Sequence, residues 1–512
     1  MAAFDGAAAP TLLEDLDKPG ADNSVMRPYW QLVDAILGGV ETMRLAKDMT
    51  LPQLPAEDDD DYKFRVNTSK FTNVFGDIIE DLSSRPFSEE VKVEGENTPA
   101  EIEVFCDDVD GAGTSLTMFA AEQFYNAVAY TIDWTFVDFP NVPPKSDGTV
   151  RTREDDKRDG NRPYWSHVRA INVLEVRTKI INGRETIIYF RLFEPAANGI
   201  KDRVRIMELI NGVASWKLYE KSDRASNTAN ATTWVGVDEG IFSIGSIPLY
   251  PFATGRRKGR TWQFHSPMKS AAELQVQLFQ DESALKHSKI MSAFVMIAAN
   301  GVKPEKTGVG NAQTIKPLKT GPGRVLYGGV DGSGTAGTFE LLEPSASTME
   351  FQAKDNERTI NQLRELGRQP LTAQSGNLTV ITTTVAAMKG NSACQQWAII
   401  EGKALESALE ATARWYGIQN YKPSVEVFHD FDVDGEGKDM TLILDARKNG
   451  DLSQGTLWHE MRRRGVLSAE FDPENEKKAL LDETPDETDI DDEITKPGAN
   501  VVPIKQPVKP PV

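Results

Sequence analysis

Two stretches decide how this chain is read: Ser266–Ser288, SPMKSAAELQVQLFQDESALKHS, and Ser347–Gly367, STMEFQAKDNERTINQLRELG. Each carries a thin stripe of apolar residues at the spacing of one helix face. In the first the face is Leu274, Leu278, Phe279 and Leu285, with Ile290 just beyond the stretch. The second opens with a capping box, Ser347-Thr-Met-Glu350, places Glu350 four residues before Lys354, and stops at Gly367. Between them Ala298–Glu343 is rich in Gly and Lys and has a β texture. Both helices have thin apolar stripes and charge over the rest. The stripes predict helices that find neighbours in other copies of the chain, hence a ring or a shell.

Composition narrows the classes. At 39% hydrophobic and 26% charged, 512 residues are ordinary globular material for two to four domains. The net charge of −20 argues against a basic surface that coats nucleic acid, because duplex binding neutralises phosphates with Lys and Arg. Cys106 and Cys394 are too few for a disulfide framework and point to a reducing compartment. No apolar run approaches membrane-spanning length, so no membrane is expected, and the acidic start MAAFDGAAAPTLLEDLDKPG lacks the basic region of a signal peptide.

Along the chain, residues 1–25 are expected to be flexible. Helices are expected at Pro28–Lys47, Lys63–Leu82 and Ser115–Tyr130, then a strand at Ile132–Phe139, and a polar loop over 141–162. From Tyr164 to Tyr250 the pattern is β, with strands at Val173–Ile180, Thr186–Phe193 and Val204–Leu209. The turns Asn182-Gly183 and Asn211-Gly212 are hairpin signals. Thr372–Asn391 is small, hydroxylic and β-branched, too apolar for a solvent loop and too rich in Thr and Val for a strong helix. Asn391–Tyr416 is a long helix made slim by Ala393, Ala398, Ala404, Ala408, Ala411 and Ala413, with Gly417 as its stop. A β-pair is expected at Val425–Phe428 and Met440–Leu444, and short helices at Ser453–Arg464 and Asp472–Leu481. The tail beyond Asp482 has the composition of disorder.

Catalytic and ligand motifs are weak. Gly332-Ser-Gly-Thr-Ala-Gly337 has the letters of a dinucleotide loop, but Thr338–Leu342 after it has strand character where that motif needs a helix. Asp430, Asp432 and Asp434 open like a calcium loop, yet the twelfth position is Thr441 instead of a bidentate Glu. There is no P-loop, zinc-protease or nucleophile-elbow motif, and nothing calls for a cofactor. Arg462, Arg463 and Arg464 suit the end of a helix. The denser basic cluster, Arg256, Arg257, Lys258 and Arg260, is expected to meet an acidic neighbouring subunit.

The order of these segments, from about Pro28 to Glu483, resembles the portal (head–tail connector) proteins of tailed bacteriophages. The resemblance is carried by Phe71-Thr-Asn-Val-Phe75 with Arg85-Pro-Phe87, by Val137-Asp-Phe-Pro140 and by Ile247-Pro-Leu-Tyr-Pro-Phe252. It continues in Phe339-Glu-Leu-Leu-Glu-Pro344, and in Asp451–Trp458 followed by Arg464-Gly-Val-Leu467 and Phe471-Asp-Pro-Glu474. It implies an α+β portal fold: a wing of helices and strands at 26–265, stem helices at 266–288 and 344–368 flanking a clip at 289–343, a tunnel loop at 369–391 and a long wing helix at 391–417. A short C-terminal region at 418–483 and a tail at 484–512 follow. The resemblance further implies a ring, usually of twelve copies, at one capsid vertex of a virion assembled in the host cytoplasm. Its partners would be major capsid and scaffolding proteins, the large terminase, head–tail adaptors and double-stranded DNA passing without sequence preference. Thr382, Thr383, Thr384, Met388, Lys389 and Asn391 would line the channel, and Lys303, Lys306, Lys316, Lys319 and Arg324 would serve the clip's docking surface. An acidic wall suits DNA that must slide without sticking. The competing readings are another head–tail adaptor or minor capsid protein, or a calcium- or nucleotide-binding enzyme.

Overall fold

The computed structural model describes residues 13–94, 98–142, 152–197, 199–223, 232–293, 296–300, 306–307, 314–315, 337–342, 346–366, 380–429, 438–463, 467 and 471–483. It is mixed helix and sheet, an α+β chain, and divides into two units, Met1–Phe431 and Asp432–Val512.

The first unit begins with β1 (Leu13–Glu14) and α1 (Ala21–Leu37), then α2 (Val40–Leu45), α3 (Lys47–Thr50), α4 (Asp59–Thr68) and α5 (Val74–Ser84). Next come β2 (Lys92–Glu94), α6 (Ala100–Asp107), α7 (Leu116–Tyr130), β3 (Ile132–Asp138), α8 (Arg153–Asp159) and β4 (Tyr164–Arg169). A run of strands follows: β5 (Val173–Ile181), β6 (Arg184–Glu194), β7 (Arg203–Ile210), β8 (Val213–Lys221) and β9 (Thr233–Ile241). With β1 they form a six-stranded antiparallel sheet in the order β1-β9-β8-β7-β6-β5. Both Asn-Gly turns have positive φ at the two central residues, 51° and 78° at Asn182-Gly183 and 51° and 82° at Asn211-Gly212. That geometry matches strand twist and fixes the register of each hairpin.

A second sheet, β10-β3-β4, is completed by β10 (Leu249–Ala253), and β11 (Arg256–Arg257) pairs with β12 (Phe264–His265). Then come α9 (Lys269–Ala293), β13 (Met296–Asn300), β14 (Lys306–Thr307), β15 (Thr314–Ile315), β16 (Thr338–Leu342), α10 (Ala346–Leu366) and α11 (Val380–Tyr416). The unit closes with β17 (Ser424–Glu426), paired with β2. Its core is aromatic: Trp134, Trp165, Phe119, Phe124, Phe252 and Phe279 are all enclosed. The Trp165 Nε1 donates to Thr412 Oγ1 at 2.8 Å and ties β4 to α11. Every alanine of the slim face of α11 is buried, so the helix lies close on β3, β10 and β17. The second unit holds α12 (Lys438–Lys448), α13 (Gln454–Arg463) and α14 (Pro473–Glu483), with Trp458 and Phe471 edge to face at 5.7 Å.

Several expectations are corrected. Residues 13–25 are ordered: β1 pairs with β9, and α1 starts at Ala21 with Pro28 inside it, because buried Asn23 donates to the Val173 carbonyl at 2.9 Å and fixes the first turn. That helix ends at Leu37, where Gly38 and Gly39 (φ 84°) turn the chain into α2. The helix expected at 63–82 is two, because Asn73 caps a new one by accepting the Gly76 N–H at 2.9 Å. The polar loop at 141–162 contains α8, started by a Thr152–Asp155 capping box. Met440–Leu444 belongs to helix α12, and the partner of β17 is β2. A short apolar run such as this fits strand or helix alike; the left-handed Gly450 (φ 82°) beyond Lys448 marks a helix end. Finally, α11 starts at Val380, eleven positions before Asn391. Thr and Val cost only a few tenths of a kcal/mol each in a helix, and lengthening a formed helix avoids the cost of nucleation.

Candidate functional site

The helix–insert–helix block is a hairpin of helices. The start of α9 (Ser270, Leu274, Gln277) faces the end of α10 (Gln362, Leu366) across a groove, so the two run antiparallel. At its far end, β13 and β16 form a five-pair antiparallel ladder from Met296↔Leu342 to Asn300↔Thr338. The chain between them carries the short pair β14–β15, which includes Lys306. Asp281 on α9 and Asp355 on α10 interact as like charges; burial, then Asp355, raises the Asp281 carboxyl above its ordinary value.

The thin stripe of α9 does not call for another copy of the chain. Leu278, Phe279 and Leu285 are buried within the same molecule, and Leu274 is half-buried. Phe279 meets Phe71 edge to face at 5.7 Å. The stripe looks thin because its other members are polar. Gln275 is buried: its Oε1 accepts the Phe75 N–H and its Nε2 donates to the Thr72 carbonyl, both at 2.9 Å. Glu282, 4% exposed, accepts the Thr72 N–H at 3.0 Å, the Thr72 hydroxyl at 2.8 Å and Lys70 Nζ at 2.7 Å. The loop between α4 and α5 thus has its free backbone groups paired by side chains of α9. Buried polar groups without such partners cost free energy. A polar residue at a stripe position, 275 and 282 among 271, 278 and 285, was the available signal. On α10, Asn356, Thr359 and Leu363 are buried, while Phe351 is two-thirds exposed. The helix starts at Ala346, so Ser347 lies inside it and is not its cap.

The sequence-picked residues distribute as follows. Arg257 is committed within its own chain, where its guanidinium pairs with both Glu185 oxygens at 2.8 and 2.9 Å and lies 4.2 Å over Trp262. Arg256, Lys258 and Arg260 on the same hairpin are exposed. Thr382, Thr383, Thr384, Met388, Lys389 and Asn391 fall in the first turns of α11, so this segment is helix where a tunnel loop was expected. Lys303, Lys316, Lys319, Arg324, Asp430, Asp432, Asp434 and Gly332 lie outside the described residues; Gly337 leads directly into strand β16. Among the described residues no three His, Cys, Asp or Glu side chains gather to hold a metal ion, and no helix is long and apolar enough to cross a membrane.

Sequence reasoning passed over one buried group of acids. Asp133 on β3 is fully enclosed and its Oδ2 lies 3.1 Å from His167 Nδ1 on β4, with the imidazole stacked on Phe119 at 3.8 Å. Glu401 on α11 is also fully enclosed. Burial raises the Asp133 carboxyl, and burial followed by the Asp133 charge raises Glu401 well above its ordinary value. Glu401 falls on the period of Ala398, Leu405 and Ala408, a charged letter on an apolar face, which was the signal.

A family model, a domain of unknown function (DUF4055), matches residues 267–416. Its limits enclose α9, the insert, α10 and α11 and end on the last residue of α11. No curated protein matches the chain. Among solved structures, the chain is similar to the neck of an empty gene transfer agent (GTA) particle computed with C6 symmetry, at TM-score 0.36 and 12% identity over 86% of this chain and 99% of the other. It is similar to the neck of a native GTA particle computed with C12 symmetry, at TM-score 0.37 and 12% identity over 87% and 100%. It is similar to a chain of the virion of a native GTA particle, at TM-score 0.32 and 13% identity over 87% and 99%.

Proposed function

We propose that this chain is the subunit of a portal: a ring at one capsid vertex that conducts DNA during packaging and ejection and performs no chemistry of its own. The observation that carries the reading is the antiparallel pair α9–α10. It is closed by the β13–β16 ladder, tipped by a β insert, and followed by the long α11 lying on the body of the first unit. In this reading α9 and α10 are the stem, the insert is the clip that docks the terminase and later the head–tail adaptors, and the first turns of α11 approach the channel. Lys389 and its neighbours would then meet DNA from a helix end instead of a loop. The net charge of −20 per subunit favours a wall from which DNA is repelled at short range. Capsid and scaffolding proteins would contact the outer rim, in a particle assembled in the host cytoplasm.

The test is imaging of the purified full-length chain by negative-stain microscopy, with sedimentation in parallel. Closed rings with a central hole support the portal reading, with twelve copies the expected number. A chain that stays monomeric under all conditions, including inside particles, overturns it.

A further inference from the structure

Glu401 is the one fully enclosed carboxylate, among the described residues, with neither oxygen engaged by a hydrogen-bond donor of the protein. It sits where α11 crosses the β10-β3-β4 sheet. Asp133, whose charge acts on it, leaves an acceptor unmatched as well: Asp133 Oδ1 is buried and unpartnered. The charged and titratable groups that the packed elements bring to this place are Asp133 on β3, His167 on β4 and Glu122 on α7, whose carboxylate is 3.8 Å from His167 Nε2. On β10 the residue paired with Asp133 is Phe252. No described Lys or Arg pairs with Glu401. A carboxylate without donors, enclosed by apolar groups and beside a second acid, is among the most costly states a side chain can take.

We infer that Glu401 is a carboxylic acid in the folded chain, and that its proton is a condition for α11 to stay seated on β3. The neutral acid removes the repulsion from Asp133, whose Oδ2 stays 3.1 Å from His167 Nδ1. Raising the pH then works against this seating. The unfolded chain gives up the Glu401 proton near the ordinary glutamate value, while the folded chain keeps it. The contribution to folding is therefore fully present below that value and is lost as pH rises towards the folded one. Over that range the folding equilibrium loses tenfold per pH unit. Loosening would be felt first along α11, which carries residues 380–391.

The experiment compares thermal melting of full-length wild type and Glu401→Gln from pH 6 to 9.5. The wild-type Tm is expected to fall with pH more steeply than that of the variant, whose amide cannot ionise, and the two curves to separate towards alkaline pH. Parallel curves overturn the proposal. If Glu401→Gln fails to fold, infrared spectra of the wild type, with and without carbon-13 in its glutamates, decide the matter. A protonated-carboxyl C=O band at neutral pH that shifts with the label and disappears at high pH supports the inference. Absence of that band overturns it.

Discussion

Glu282 on α9 accepts the backbone N–H of Thr72 at 3.0 Å while almost wholly enclosed, and this contact makes a helix expected to serve a ring part of the single-chain core. Truncation would strand the Thr72 N–H and hydroxyl and remove the partner of Lys70. Glu282→Ala is expected to destabilise the chain by about 3 kcal/mol, and Glu282→Gln by less, since an amide oxygen still accepts. Urea unfolding of both variants checks the order. Equal, small losses would mean that the loop finds other partners.

Gly402 on α11 meets β17 so closely that an added Cβ would stand 2.7 Å from the Val425 carbonyl oxygen. Alanine gains about 1 kcal/mol of helix propensity at such a site. The clash is with backbone, which cannot rotate away, so overpacking of about 1–3 kcal/mol should prevail. Gly402→Ala is expected to lower the Tm, and a raised Tm would show that β17 moves off freely.

Arg257 and its three basic neighbours separate by role. Arg257→Ala should cost the single chain about 1 kcal/mol through the lost Glu185 pair and the Trp262 face. A triple change of Arg256, Lys258 and Arg260 to Ala should leave folding within about 0.5 kcal/mol. If these three meet an acidic neighbouring subunit, the triple variant weakens association in sedimentation. Unchanged association would remove that role.

Acid should act at Glu57. Its carboxylate receives Arg65 Nε at 2.6 Å and Nη2 at 2.7 Å, and this pairing holds it below the ordinary value. The folded value being the lower one, its stabilisation is present above the unfolded value and is lost as pH falls through the folded one. Glu57→Gln should lower stability at neutral pH and flatten the loss between neutrality and pH 3, read by melting at a series of pH values.

Local signals carried far in this sequence. Ser115, where a helix was expected to begin, caps α7 by accepting the Met118 N–H, and both Asn-Gly pairs are hairpin turns as expected. The alanine face of α11 is buried throughout. What stayed hidden depends on partners distant in sequence. The break between α4 and α5 is held by Gln275 and Glu282, some 200 residues away. The first turn of α1 is fixed by a carbonyl 150 residues on. Asp133 and Glu401 become neighbours only when α11 folds back on β3. Stripe positions filled by Gln or Glu look like solvent until the groups they satisfy are in place.

Apolar surfaces in contact can slide, trading one close-packed fit for another at modest cost. The seat of α9 has no such freedom. Gln275 and Glu282 are each matched to particular atoms of the Thr72–Phe75 backbone, and a displacement of one residue would leave them all unmatched at once. A pull or push along the axis of α9 is therefore delivered to the α4–α5 loop as a load and is not absorbed by slippage. The helix behaves as a keyed shaft, and its key is the pair of polar side chains that made its stripe look incomplete.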